Sequence, residues 1–106
     1  MKRKDTQVYR KLINKYCDLR EKIERAINET NKFNNIIHEK EILKSEQTDS
    51  RIISEINQSI QMFKFAISCQ DIFFEQNPEM KKYEEILINE YGDNPDIIYK
   101  NNKYNF

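Results

Sequence analysis

Tyr9, Leu12, Tyr16, Leu19, Ile23, Ala26, Thr30, Phe33 and Ile37 recur in alternating steps of three and four. Held for four heptads, such a repeat is an a/d seam, which a long helix buries only by lying along partner helices. Ile13, Ile27 and Ile36 widen the stripe. A first helix is therefore predicted from residue 6 to residue 45, roughly 60 Å long. Its weak point is 28–35, where four Asn and one Thr lower helix propensity.

Composition agrees with this reading. One Gly and two Pro in 106 residues leave few of the special backbone positions that strand-and-turn folds need. A charged fraction of 34% suits a thin helical bundle, which hides only one stripe per helix. Gln47-Thr48-Asp49-Ser50 supplies a turn, with Asp49 or Ser50 as cap of a second helix over 51–76. Its seam is Ile53, Ile56, Ile60, Phe63, Ile67, Gln70 and Phe74. Folding back at this turn pairs Ile60 with Ile37, Phe63 with Phe33 and Phe74 with Ile23. Asn77-Pro78 reads as a second reversal into a third helix over 78–91, with Asn77 as cap and Gly92 just past the end. Helix 2 carries a second apolar stripe, Met62, Phe65, Cys69 and Ile72, on which Leu87, Tyr83 and Met80 are expected to pack. A tail over 93–106 could start one more turn at Asn94-Pro95 and ends in Tyr104 and Phe106. The prediction is one all-α domain. It is an antiparallel three-helix bundle with a coiled-coil-like seam and the third helix on the second.

That register leaves 6–20 overhanging, with Val8, Tyr9, Leu12, Ile13, Tyr16 and Leu19 uncovered. A contiguous apolar patch of this kind marks an interface. Three covers are consistent with it: a second copy in a homodimer, a foreign protein, or the chain's own tail through Ile97, Ile98, Tyr99 and Phe106. The overhang is also the basic part of the chain. Residues 1–25 hold nine Lys/Arg against four Asp/Glu, while residues 77–106 hold four against six, within a net charge of zero. Lys2, Arg3, Lys4, Arg10, Lys11 and Lys15 could contact nucleic-acid phosphates, or equally form a solvated flank beside the seam.

Chemistry-bearing patterns are few. His38 is the only imidazole and falls beside the seam, so no triad is defined. Cys17 and Cys69 are 52 residues apart without a CxxC, which argues against zinc and for reduced thiols in the cytoplasm. Carboxylate pairs such as Glu39/Glu41 and Glu84/Glu85 read as solvated faces, and no Glu-x-x-His supports a di-iron bundle. No cofactor or metal is expected. Apolar runs reach only three residues, so no span and no signal peptide are predicted. Leu19-Arg20-Glu21-Lys22-Ile23 is similar to the start of the long helix of all-helical chorismate mutases. Those enzymes need further inward cations where Ile37 and Thr48 stand here, so the resemblance carries no activity.

Sixteen Ile, thirteen Lys and twelve Asn point to AT-rich codons, as in a low-GC bacterium, its phage or another mobile element. The expected function is a non-enzymatic protein-interaction module, a small regulator or inhibitor acting by steric occlusion. The alternatives are a nucleic-acid-backbone binder using the basic end, and a structural or assembly subunit.

Overall fold

A computed structural model describes residues 2–104, with side chains through residue 102. Phe106 and the side chain of Tyr104 therefore lie outside the described residues. The chain is all-α, and no strand occurs among the described residues. Helices α1 (Gln7–Ser45), α2 (Ser50–Ser68), α3 (Asp71–Phe74), α4 (Asn77–Tyr91) and α5 (Pro95–Tyr104) follow in order. Helix α1 is continuous through 28–35. The apolar seam outweighs the weak propensity of its Asn residues, because tertiary packing supplies most helical stability.

The contacts divide into two units, and α1 contributes to both. The first is a hairpin, Arg25–Phe74. Asp49 is its N-cap, in extended backbone at φ −77° and ψ 119°, and its carboxylate accepts from the Arg51 N–H at 2.9 Å. Ile37, Ile56 and Ile60 form the buried core, with Phe63 and Ile67 packed against it. Phe33 and Phe63 meet with ring centroids 5.6 Å apart, as the seam register predicts. Helix α2 stops at Ser68, short of the expected residue 76. There the Ser68 hydroxyl donates to the Phe65 carbonyl at 2.6 Å, and Gln70 N–H turns in to the Ile67 carbonyl. Local bonds of this kind compete with the regular ladder.

The second unit joins residues through Glu24 to those from Glu75 onward. Its core is Tyr16, Cys17, Leu87, Tyr91 and Tyr99, with Tyr9, Leu12, Ile13, Met80, Tyr83, Ile86 and Ile98 against it. The third long helix thus packs on the start of α1. This corrects the expected pairing of Leu87 with Phe65, Tyr83 with Cys69 and Met80 with Ile72. At Asn77-Pro78 the expected side-chain cap does not form. Gln76 is helical there, at φ −87° and ψ −4°, and α4 begins with no side-chain cap from Asn77. Proline at the first turn is compatible with starting a helix, because its missing N–H would have no intrahelical partner there. Helix α4 runs antiparallel to the start of α1, with Tyr9 against Tyr91 and Tyr16 against Glu84. Gly92 ends α4 in left-handed backbone at φ 68°, a conformation that costs glycine nothing. The Asn94 side chain then accepts from the Asp96 N–H at 3.0 Å and opens α5.

Leu87 is fully buried and Phe65 is 71% exposed. Leu87→Ala should therefore cost about 2–5 kcal/mol. At protein concentrations low enough to keep the chain monomeric, Phe65→Ala should stay within about 0.5 kcal/mol of wild type. Thermal denaturation of the two variants checks both.

Candidate functional site

The overhang residues are covered by the chain's own α4 and α5. Tyr16 is fully buried, Leu19 is buried, and Tyr9, Leu12 and Ile13 pack on the same core. Of the six expected interface positions only Val8, 71% exposed, remains available to a partner. The tail does part of the covering, with Ile98 packed and Tyr99 buried, while Ile97 stays exposed.

Polar contacts close the same seam. The Tyr16 hydroxyl accepts from Arg20 Nη1 at 2.8 Å and donates to Glu84 Oε1 at 3.1 Å. Arg20 also pairs with Asp96 at 2.7 Å and with Glu24 at 3.2 Å, and its guanidinium lies 4.5 Å from the Tyr99 ring centroid. Burial raises the Tyr16 hydroxyl well above its usual range, against the opposing pull of Arg20. Burial works against the Arg20 cation, but its bonds to Tyr16 and Asp96 hold it firmly charged. At the far end Tyr9 donates to Asp93 and stacks obliquely on Tyr91, with centroids 4.7 Å apart.

The basic residues divide. Lys2 pairs with Glu90 at 2.6 Å, Arg3 with Asp5 at 2.7 Å, and Lys4 with Asp93. Arg10, Lys11 and Lys15 are exposed. Lys15 lines a hollow with Asp18 and Glu79, which weakens the field it offers to a phosphate. An open cavity of about 370 Å³ is lined by Glu84, Ile88, Asp93, Asn94, Pro95 and Asp96. Its three carboxylates are bonded to Tyr16, to Lys4 and Tyr9, and to Arg20. No cluster of metal-ligating side chains occurs among the described residues, and no described helix is long and apolar enough to cross a membrane.

Val8, Ile42, Leu43, Ile52 and Ile88 are among the large apolar side chains left exposed, and α2 and α3 add an outer stripe. Met62 is 73% exposed, Phe65 71% and Ile72 61%, and Cys69 is exposed between them. Cys69 closes α2 in right-handed backbone at φ −67° and ψ −17°. The stripe itself is visible in the sequence; its exposure depends on where α4 packs. No family model matches the chain, and neither a curated protein nor a solved structure matches it.

Two measurements follow from this geometry. Burial and the bond to Asp93 push Tyr9 up to about 12, and burial with Glu24 pushes Tyr99 up to about 12. A raised folded-state value contributes stability that is complete below the unfolded value of 10.0 and is lost as pH climbs to about 12. Alkaline unfolding in that window should flatten in Tyr9→Phe. With thiol reagents, exposed Cys69 should react quickly and buried Cys17, whose thiol burial pushes up, slowly. Two fast thiols in the native protein would contradict the core.

Proposed function

We propose that this protein is a non-enzymatic interaction module that docks through the outer stripe of α2 and α3. The observation carrying the reading is the exposure of Met62 and Phe65 on α2 and of Ile72 on α3. Large apolar side chains in contact with water, gathered on one helical face, gain free energy when a partner covers them. Phe65 is the natural anchor, since aromatic side chains dominate such surfaces. A second copy is the simplest occupant, and a regulator or inhibitor acting by steric occlusion would use the same face on a foreign protein. The titratable groups support a binding role over a catalytic one, because the best-placed carboxylates are bonded to neighbouring side chains.

The nucleic-acid reading draws on Arg10, Lys11 and Lys15, as Lys2, Arg3 and Lys4 are engaged in ion pairs. Three phosphate contacts would give a salt slope of about 3 and only weak affinity at physiological salt.

The test is the oligomeric state of wild type and of Met62→Ser/Phe65→Asp at tens of micromolar by light scattering. The expected outcome is a wild-type dimer and a monomeric variant, with equal helix content by circular dichroism. A wild-type monomer overturns the second copy as occupant, and a variant that stays dimeric overturns the stripe.

A further inference from the structure

The two flanks of the hairpin differ. Phe63 meets the Phe33 ring at 5.6 Å and lies 5.7 Å from the Lys40 ammonium, on one edge of the seam. Lys44 donates to Asn57 at 3.0 Å on the other. A step of seven residues returns to the same side of a helix. On the Phe63 flank the next row of α1 holds Ile36 and Leu43, and the next row of α2 holds Ile52, Ser59 and Ala66. Leu43 and Ile52 are exposed, and Ile36 is half-buried. Opposite, the corresponding residues are polar, Asn34 and Glu41 on α1 with Asn57 and Lys64 on α2. One flank is therefore apolar and wet.

A charged row borders it. Arg25, Lys32 and Glu39 follow one another at intervals of seven on α1, and Glu46 stands one residue past its end. All four are exposed. Neither Glu39 nor Glu46 has a Lys or Arg three or four residues away, so pairing within the helix does not account for the row. Lys32 and Glu39 form no ion pair among the described residues. Two cations preceding two anions make the row complementary to its own reverse. Beside a parallel copy, Lys32 would face Lys32. Beside an antiparallel copy, Lys32 faces Glu39 twice and Arg25 faces Glu46 twice. Rows of this kind set the partner and its direction in helical bundles.

We infer that the hairpin pairs with a second copy of this chain through the Phe63 flank, antiparallel, with α1 beside α1 and α2 beside α2. The two-fold axis crosses α1 between Asn35 and Ile36. By the Phe33–Phe63 register it crosses α2 between Ile60 and Gln61. Ile36, Leu43 and Ile52 are then covered, and Met62 comes to Ser59 of the second copy, whose small side chain leaves room for it. The contact is isologous, so it closes on a dimer. A foreign protein has no reason to present the reversed charge order, whereas a second copy always does. The inference rests on the docking reading for one point, that a second copy is the occupant. It adds a direction, and a contact strip on α1 that the outer stripe does not contain.

Charge reversal tests it, with association followed by sedimentation velocity at low salt. Lys32→Glu and Glu39→Lys each turn two attractions into two repulsions, and each should weaken association by about tenfold or more. The loss should fade toward 1 M salt, where the Debye length is about 3 Å. Lys32→Glu/Glu39→Lys restores opposite charges across the axis and should associate like wild type. An equal mixture of the two single variants should associate more tightly than either alone. Circular dichroism should show unchanged helix content throughout, since both sites are exposed. Single variants that associate like wild type, a double variant as weak as the singles, or a monomeric wild type overturns the pairing. If the singles stay dimeric while Met62→Ser/Phe65→Asp is monomeric, the α1 contact falls and the stripe stands. Singles that dissociate beside a dimeric Met62→Ser/Phe65→Asp give the reverse.

Discussion

The buried hydroxyl of Tyr16 is the contact on which the terminal unit depends. A fully buried phenol must find hydrogen-bond partners or lose the benefit of its ring's burial. Here it finds two, Arg20 from the next turn of α1 and Glu84 from α4. Arg20 in turn reaches Asp96 at the start of α5 and lies over Tyr99. One side chain on α1 thereby fixes where both later helices sit. Leu87 and Tyr91 supply the apolar burial, but the paired polar groups are what make this seating specific. Removing Arg20 or Glu84 would leave the buried Tyr16 hydroxyl short of a partner, which costs more than the bond contributes.

The charge asymmetry along the chain acquires a different meaning in this light. A basic beginning and an acidic end read in the sequence as a signal toward outside partners. In the fold they meet each other: Lys2 with Glu90, Lys4 with Asp93, Arg20 with Asp96. Exposed pairs of this kind are worth little singly, about 0–1 kcal/mol. Their common sign still steers the end of the chain toward its beginning and disfavours the alternative seating.

Much of the hairpin is legible in the sequence because heptad spacing and turn chemistry agree. The Asp49 cap, the Phe33–Phe63 contact and the Ile core over 37, 56 and 60 all follow from local pattern. The placement of α4 is not legible. Two apolar surfaces compete for its stripe, residues 9–19 and the Met62–Ile72 row, and periodicity treats them alike. The deciding information lies in Tyr16, Arg20, Glu84 and Asp96, polar residues whose pairing spans most of the chain and has no sequence signature. A proline at a helix start is compatible with either surface, so Pro78 cannot break the tie. The candidate site is hidden for the same reason, since a stripe equally suited to core and to interface declares itself only once α4 is seated elsewhere.

The two units also differ in how far along the chain their contacts reach. Phe33 and Phe63 are separated by a short excursion through one turn, whereas Tyr9 and Asp93 are 84 residues apart and Tyr16 and Glu84 are 68 apart. Closing a longer loop costs more entropy before any contact repays it, so the hairpin has the kinetic advantage. During synthesis the asymmetry is absolute. Residues 9–19 leave the ribosome long before Leu87, Tyr91 and Tyr99 exist to cover them. The nascent chain therefore carries a wet apolar face until residues 87–99 arrive, and only then is Tyr16 sheltered.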